Sequence, residues 1–376
     1  MIYEPALLYE LEKEIDKNIY CFGAGKAFDS FINEFEDDKF ENRVKGIVDN
    51  NLEVAEKSFK VIKDSCVPII SLDHMLNDIK SNDYILITTI LFDEIIEQLE
   101  KIKKLDKIRF GISYFMRMER RDNNRIKNVI PTVLSTYKEL RIPKTIHYCW
   151  FGEKEIPKQQ KKWMKSWKDY CPEYEIVEWN ESNYDVHKTK YISQAYEMKK
   201  WAFVSDYARI DIINNYGGVY LDTDVELIKN IDLMLMNDAF CGFELSQYVA
   251  YGLGFGSRKN NPILEDIKGY YDNNSFILDN GNLNQTACPI VQTEVMKKYG
   301  LKCNGEFQIV NGMAVYPSRV LCGMSPISFR VEKDPLYTYA IHHYEGSWVV
   351  DKQEKEMMIK RMKKWGCNKK FVYTDL

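Results

Sequence analysis

The sequence predicts an α/β protein with two domains, and three observations support this fold class. The chain has 376 residues, 45% of them hydrophobic and 29% charged, which is a soluble composition with enough length for two domains. Short apolar runs alternate with helical segments over residues 18–115. Residues 201–231 then combine an apolar helix, a double glycine, a β-favouring run and two aspartates.

The first domain is predicted to be Rossmann-like, with a parallel sheet. Residues 18–30 have the pattern of a strand, a tight Gly-Ala-Gly turn and a helix start, and residues 44–51 form a second strand that ends in Asp49. Asp49 follows Gly25 by 24 positions, close to the roughly 20 that separate a dinucleotide loop from its ribose-binding acid. Phe28 replaces the third glycine of that motif, so ligand binding and a purely structural or assembly role both stay open.

The β/α alternation continues to residue 115, and a charge-rich linker follows. Residues 67–76, 83–90 and 108–115 are further strand-containing segments. The polar run at 119–128 is typical of a linker. We therefore predict a Rossmann-like domain at 1–125, a linker at 126–134 and a second domain at 135–376.

Composition excludes several classes of protein. A formal net charge of −4 argues against general nucleic-acid binding. The nine cysteines include no CxxC pair, so reduced thiols are a simpler account than a zinc ribbon or a disulfide framework. The sequence has neither a signal-peptide pattern nor an apolar run of about 18 residues. We expect a cytoplasmic protein.

The second domain centres on a helix, a glycine break and a DxD motif. Apolar residues recur at helical spacing over 203–215, and Gly217-Gly218 ends the helix. A short apolar strand then leads to Asp222 and Asp224, which an extended chain directs to one side. Two converging carboxylates suit a hard divalent cation, Mg²⁺ or Mn²⁺, shared with substrate phosphates. The alternative is a solvated acidic turn.

Ser205-Asp206-Tyr207-Ala208-Arg209 precedes this motif by one helix. Asp206 and Arg209 are three positions apart and share a helix face. One interpretation is a surface ion pair worth roughly 0–1 kcal/mol. The other is a carboxylate and a guanidinium that together bind a polyhydroxylated, anionic ligand.

These motifs resemble the core of the DXD-containing sugar transferases of glycosyltransferase family 32. That family includes bacterial capsule-synthesis enzymes, yeast-type initiating mannosyltransferases and relatives of the clostridial glucosylating toxins. The resemblance extends over approximately residues 140–350 and implies a GT-A type nucleotide-sugar transferase domain. It also implies that Asp206 and Arg209 bind the donor sugar, that Asp222 binds ribose and metal, and that Asp224 ligates the metal.

The resemblance further implies a nucleotide pocket at the strand and loop of residues 141–157. Its candidates are His147, Tyr148, Trp150, Phe151 and Gly152, with Ser205 beside the donor. An aromatic ring there can stack on a base. Trp150 as a core residue and His147 as a hydrogen-bonded packing residue are the alternatives.

The C-terminal segment YAIHHYEGSWVV resembles the closing motif of the family. A neutral histidine can be a third metal ligand, and spacing to the tryptophan favours His343 over His342. Ser347 and Trp348 are donors suited to diphosphate oxygens. Two histidines in a β edge are the structural alternative.

Two loops between the DxD and this motif are candidates for contact with the ligand. Gly252, Gly254 and Gly256 indicate backbone passing close to a ligand rather than a phosphate cradle. The Thr-Ala-Cys-Pro sequence at 286–289 departs from the family's Thr-Gly-Pro-like turn, which leaves the acceptor side open.

The predicted activity is transfer of a sugar, with retention, from a nucleotide-sugar donor to a glycan or lipid-linked oligosaccharide acceptor. A UDP-sugar carrying galactose, glucose or an N-acetylated relative is favoured, in capsular or cell-surface polysaccharide synthesis by a bacterium. The resemblance gives no nucleophile, and a front-face route in which the leaving phosphate takes the acceptor's proton needs none. Modification of protein hydroxyls, a nucleotidyl- or phosphotransferase and a non-catalytic scaffold are the alternatives.

Two basic amphipathic segments, 161–168 and 354–370, have two interpretations each. The first interpretation is structural: a core stripe beneath a lysine face for 161–168, and a solvated helix for 354–370. The second is peripheral contact with anionic lipid at the inner face of the membrane, which a lipid-linked acceptor would make useful.

Overall fold

The computed structural model shows a chain that divides into two compact units, Met1–Arg121 with Glu356–Leu376, and Asp122–Lys355. The residues that it describes are 1–3, 18–34, 41–56, 58–62, 65–117, 135–245, 248–325, 331, 335–345, 360 and 364. Because residues 118–134 lie outside this set, the predicted domain limits 1–125, 126–134 and 135–376 stay a prediction. Each unit is described below by itself.

The first unit has a twisted α/β architecture. Its described strands form one sheet: β1 (Ile2–Tyr3), β2 (Ile19–Phe22), β3 (Val44–Val48), β4 (Phe59–Ile62), β5 (Ser65–Ile70), β6 (Tyr84–Ile87) and β7 (Arg109–Ile112). The helices include α1 (Lys26–Glu34), α2 (Leu72–Asp78) and α3 (Phe92–Glu100). The sheet order is β1-β7-β6-β2-β3-β5-β4, and every pairing is parallel except β4 with β5. Strands β2 and β6 are buried along their whole length, as expected for apolar runs covered on both faces.

The Gly-Ala-Gly turn of the first unit is held by Asp49. Gly23 has φ +110°, a conformation that favours glycine. The N–H of Ala24 donates to Asp49 Oδ2 at 3.0 Å, and the N–H of Asn51 donates to Asp49 Oδ1 at 2.9 Å. Asp49, the acid that the spacing associates with a ribose, therefore accepts hydrogen bonds from backbone amides, one of which lies in the Gly-Ala-Gly turn.

The second unit is built on a mixed sheet. Its described strands are β8 (Thr145–Cys149), β9 (Glu175–Trp179), β10 (Gly218–Tyr220), β11 (Val225–Leu227), β12 (Ala239–Leu245), β13 (Tyr248–Val249), β14 (Phe255–Ser257), β15 (Gln308–Val310), β16 (Met313–Tyr316) and β17 (Ala340–His342). The helices are α4 (Lys158–Tyr170), α5 (Lys190–Glu197), α6 (Trp201–Tyr216), α7 (Asp232–Leu235), α8 (Pro262–Asp272), α9 (Cys288–Lys298) and α10 (Ser318–Leu321).

The order of the main sheet is β15-β16-β12-β14-β10-β8-β9, with β13 paired to β12. Strands β8, β9 and β10 are parallel to one another, whereas β14 runs antiparallel to both β10 and β12. Strands β11 and β17 form a separate antiparallel pair beside the DxD. The α/β class is confirmed, and the second unit has the mixed sheet with a DxD at a strand end that the GT-A expectation describes.

Helix α6 is the central helix of the second unit. Its residues from Val204 to Asn214 are almost all buried, and its apolar side chains belong to the same cluster as Ala239, Cys241 and Phe243 of strand β12. A helix that is apolar on most sides is a buried helix rather than an amphipathic surface one.

Some helices were not predicted from the sequence. They include α5, with Tyr191, Ile192 and Ala195 buried. Helices α8 and α9 were also not predicted. No described helix combines the length and apolar character that crossing a bilayer requires.

Candidate active site

The sequence around the DxD folds as the pattern predicts. Helix α6 ends at Tyr216, and Gly217 follows with φ +71°. Strand β10 then pairs in parallel with β8, so that Tyr220 is in register with His147. The DxD lies in the turn between β10 and β11, at the carboxyl end of the strand.

Asp222, Asp224 and His342 form a cluster of potential metal ligands. Each contributes one ligand atom, and these atoms all lie within 4.8 Å of one another. His342 Nε2 is 3.2 Å from Asp224 Oδ1. The second carboxylate oxygen of Asp224 accepts the N–H of Glu345 at 2.9 Å, which fixes the side chain.

The structure places His342 in this cluster and not His343, which corrects the choice made from spacing. Strand β17 pairs with β11 so that His342 is in register with Val225, and neighbouring side chains of a strand point to opposite faces. The ring of His343 stacks on Trp163 of α4, with centroids 4.1 Å apart, and its Nε2 is 2.9 Å from Glu226 Oε2.

Burial and charge act in opposite directions within the cluster. Burial raises the pKa of Asp222, although Arg209 opposes the shift. Burial alone would raise the pKa of Asp224 as well, but His342 and the N–H of Glu345 outweigh it and lower the pKa to about 2. Conversely, the carboxylates raise the pKa of His342 against the effect of burial. The two converging aspartates thus favour the protonated form of His342.

The donor set fits a divalent cation. Two carboxylates and one imidazole suit Mn²⁺ and Mg²⁺ at an open site. His342 Nδ1 is buried and has no hydrogen-bond partner among the described residues, so this ring is not fully committed to the protein. A cation would replace the His342 proton as the neutralising charge.

Arg209 connects the DxD to helix α6. Its Nη2 is 3.0 Å from Asp206 Oδ1 and 3.3 Å from Asp222 Oδ1, and its Nε donates to the carbonyl of Ser205 at 3.2 Å. The guanidinium lies 5.1 Å from the centroid of the Tyr220 ring. Asp206 is 7% exposed and Arg209 5% exposed, so the pair is not the surface ion pair of the alternative interpretation.

Two further residues complete this cluster, and one of them was indicated by the sequence. A Cβ at Gly252 would collide with Asp222 Oδ2 and lie 3.2 Å from Arg209 Nη1, which explains the small residue expected there. Cys288, at the start of α9, has its Sγ 4.0 Å from Arg209 Nη1. Burial and the nearby Asp206 carboxylate raise the pKa of this thiol. The role of Cys288 was missed because the contact joins distant parts of the chain.

The structure gives His147 a packing role. It is 4% exposed, its Nδ1 accepts the Nε1–H of Trp179 at 3.0 Å, and its Nε2 lies 3.0 Å from the carbonyl of Gly217. These contacts define a neutral ring with the proton on Nε2. Burial lowers its pKa to about 4. These contacts and the burial of the ring fit the packing interpretation of His147, and its role in a nucleotide pocket stays a prediction.

The other predicted pocket residues divide into core and accessible positions. Tyr148 is buried beside Trp167 and donates its hydroxyl proton to Glu178 at 2.6 Å, and Phe151 is buried as well. Gly152 has φ +96°, and its N–H donates to Glu181 Oε1 at 2.6 Å. Only half-buried Trp150, among the aromatic residues of positions 145–151, keeps a ring surface for stacking.

The remaining predicted contacts have different outcomes. Ser205 is half-buried and supplies a carbonyl to Arg209. Ser347 and Trp348 lie outside the described residues, and their diphosphate role stays a prediction.

The amphipathic segment at 161–168 lies within α4, where Trp163 and Trp167 are buried, as the core-stripe interpretation expects. Of the segment 354–370, only residues 360 and 364 are described.

Residues 157–241 match the protein family described as the glycosyltransferase sugar-binding region containing the DXD motif. The match spans α4, the Asp206–Arg209 pair and the DxD itself. It confirms the resemblance predicted from the sequence, since residues 157–241 are similar to the sugar-binding region of DXD-type glycosyltransferases.

Parts of the chain are similar to two proteins named as transferases. Inositol phosphoceramide mannosyltransferase 3 of Schizosaccharomyces pombe is 34% identical over 102 residues, which are 25% of this chain and 27% of that protein. An uncharacterized glycosyltransferase of Acanthamoeba polyphaga mimivirus is 26% identical over 157 residues, which are 39% of this chain and 60% of that protein. The chain thus spans only part of the length of these relatives. The PaToxG glycosyltransferase structure superposes with a TM-score of 0.32 at 17% identity, over 50% of this chain and 77% of that one.

Proposed function

We propose that this protein is a metal-dependent, retaining glycosyltransferase that moves a hexose or N-acetylhexosamine from a nucleotide-sugar donor, UDP-sugar favoured, to a hydroxyl of a glycan acceptor. The observation that carries the proposal is one connected cluster of charge. Asp222, Asp224 and His342 meet within 4.8 Å, and Arg209 links Asp222 to Asp206 on the buried helix. A metal–diphosphate site next to a site for hydroxyl groups is what a nucleotide-sugar donor requires.

The roles of the residues follow from their positions. Asp222, Asp224 and His342 would hold Mn²⁺ or Mg²⁺, which when bound neutralises charge on the departing diphosphate. Asp206 and Arg209 would bind and orient the donor sugar, since both are buried and rigidly paired. Asp222, which also contacts Arg209, would bind the ribose as well as the metal.

The chemistry balances without a protein base. The bond between the anomeric carbon and the phosphate oxygen breaks, and the acceptor oxygen forms the new glycosidic bond from the same face. The proton of the acceptor hydroxyl passes to the departing phosphate oxygen. The protein then positions the donor and the acceptor and stabilises the negative charge on the departing diphosphate.

The setting that we propose is synthesis of a bacterial capsular or cell-surface polysaccharide by a cytoplasmic protein. The acceptor would be a glycan or a lipid-linked oligosaccharide at the inner face of the membrane. Similarity to a mannosyltransferase named for a phosphoceramide substrate supports testing a lipid-linked acceptor and a GDP-sugar alongside the UDP-sugars.

The decisive experiment needs no acceptor. The purified protein is incubated with Mn²⁺ and a panel of UDP- and GDP-sugars, and nucleotide release by slow donor hydrolysis is followed. We expect release from one donor, lost with EDTA and in Asp224→Asn, and retained in the matched control Asp279→Asn, whose carboxylate is exposed.

Two results would contradict the proposal. The first is the absence of both donor hydrolysis and metal-dependent binding of UDP or GDP. The second is binding of an intact nucleoside triphosphate but of no nucleotide sugar, which would favour a nucleotidyl- or phosphotransferase.

A further inference from the structure

We infer that Gln292 of helix α9 is a positioning residue for the reaction. Its side-chain amide holds a short 3-10 helix, Tyr251–Leu253, and this helix sets the backbone of Gly252 against the site. The inference rests on the proposed function and deepens it, because it adds a residue that acts on Asp222 and Arg209 through the backbone.

The 3-10 helix lies directly against two of the proposed binding residues. A Cβ at Gly252 would collide with Asp222 Oδ2 and would lie 3.2 Å from Arg209 Nη1. Asp222 and Arg209 also contact each other, with Oδ1 and Nη2 3.3 Å apart. The position of this backbone therefore limits where both side chains can lie.

Gln292 contacts the first residue of the 3-10 helix. Its Oε1 accepts the N–H of Tyr251 at 3.0 Å, and the side chain is fully buried. Because a backbone N–H is a donor, this contact defines the orientation of the amide, with its oxygen toward the 3-10 helix. The residue before it has another anchor, since the N–H of Ala250 donates to the carbonyl of Gly242 at 3.1 Å. The contact of Gln292 thus lies at the backbone amide that immediately precedes Gly252.

This contact adds little to stability. Gln292 Nε2 is buried and has no hydrogen-bond partner among the described residues. A buried donor without a partner is costly. An apolar side chain here would leave the Tyr251 N–H unpaired but would also remove the unpaired Nε2. Placement of the 3-10 helix therefore accounts for an amide at this position better than stability does.

Thr293, the next residue of α9, offers a matched control. Its Oγ1 accepts the N–H of Val249 at 3.1 Å, and its side chain is fully buried too. Val249 belongs to strand β13, which pairing with β12 also holds in place. Thr293→Val therefore removes the same kind of buried contact without removing the one beside Gly252.

The test measures kcat/KM for donor hydrolysis at saturating Mn²⁺, at a temperature well below the Tm of every variant. We expect Gln292→Met to lower kcat/KM at least about tenfold, because small displacements of binding groups are costly to the rate. Thr293→Val should change kcat/KM little. The Tm should fall less in Gln292→Met than in Thr293→Val, because the methionine variant also removes the unpaired Nε2.

A double-mutant cycle with Gly252→Ala gives a readout that a merely structural role would not move. If Gln292 acts through the position of Gly252, the double variant should lose much less kcat/KM than the product of the two single losses. Gln292→Leu replaces the methionine variant in the cycle if that variant does not fold.

The outcomes separate this inference from the proposed function. The inference is overturned, with the proposed function intact, if Thr293→Val loses as much kcat/KM as Gln292→Met or if the losses in the cycle multiply. A larger fall of Tm in Gln292→Met than in Thr293→Val would also overturn it, since Gln292 would then serve stability. Absence of hydrolysis of every donor by the wild type would instead contradict the proposed function, and this inference with it.

Discussion

Gly252 lies where the backbone passes closest to Asp222, and we expect Gly252→Ala to disable the site without unfolding the protein. The added methyl would collide with Asp222 Oδ2 and crowd Arg209 Nη1. Donor hydrolysis should fall at least tenfold, since displacing a catalytic group by a fraction of an ångström costs about that much. Gly269→Ala is the matched control, because its Cβ would meet nothing within 4 Å on helix α8. Equal activity of Gly252→Ala and wild type would contradict the close approach.

Substitution of the two adjacent histidines should affect metal binding differently. His342→Gln should weaken Mn²⁺ binding about tenfold or more, because it removes one of three ligands. His343→Gln should change the affinity little, since that ring stacks on Trp163 away from the cluster. Isothermal titration calorimetry of the protein without donor measures both. Stronger loss in His343→Gln than in His342→Gln would restore the ligand choice made from spacing.

The sequence could predict part of this site at the scale of residues. Asp222 and Asp224 meet because alternation directs them to one side, and Asp206 and Arg209 meet because they are three apart on a helix. His342 could not be chosen from spacing, because its direction depends on the register of β17 against β11, more than a hundred residues away along the chain. The contact of Cys288 with Arg209 has the same long-range origin.

His147 joins three elements of the second unit and gives it a pH dependence. From strand β8, its ring contacts the carbonyl of Gly217 after α6 and the indole of Trp179 on β9. Its folded pKa is about 4, below the ordinary value of 6.5. Between these values the unfolded chain binds the proton and the folded chain does not, so acid favours unfolding. The stabilisation is complete above pH 6.5 and lost as pH falls to about 4.

The measurement compares wild type with His147→Asn, which cannot titrate in this range. The difference in free energy of unfolding between them should shrink by up to about 3 kcal/mol from pH 7 to pH 4. Denaturant unfolding of the second unit, followed by tryptophan fluorescence, reports it. A difference that stays constant over this range would mean that His147 titrates alike in both states.

At the scale of elements, strong periodicity or flanking turn residues predicted strands such as β2, β3 and β8 and the central helix, whereas helices α5, α8 and α9 were among those not predicted. Helix α5 is only eight residues long and is stabilised by burying Tyr191, Ile192 and Ala195 in the tertiary core. Helix α9 follows Ala287, which makes no side-chain cap, so Pro289 in the first turn is a start signal without a capping residue before it. Apolar runs also predict burial without naming the neighbouring strand, and the order of the mixed sheet was therefore not predictable.

At the scale of the whole molecule, a bound metal ion should stabilise one unit only against thermal unfolding. Each buried hydrophobic cluster draws its described residues from one unit, and we expect two unfolding transitions in calorimetry. Among the described residues, the one cluster of potential metal ligands lies in the second unit. Binding to the folded state at a hundred times Kd adds about 2.7 kcal/mol. For a unit of this size each kcal/mol raises Tm by roughly 2–4 °C.

Mn²⁺ should consequently raise the Tm of one transition by several degrees and leave the other unchanged. Asp224→Asn should abolish the shift, because a neutral amide replaces the carboxylate that lies between His342 and the Glu345 amide. Asp279→Asn, an exposed position outside the cluster, should retain it. Equal shifts of both transitions would indicate nonspecific binding of Mn²⁺ to carboxylates of both units. A shift that survives in Asp224→Asn would place the cation away from the DxD.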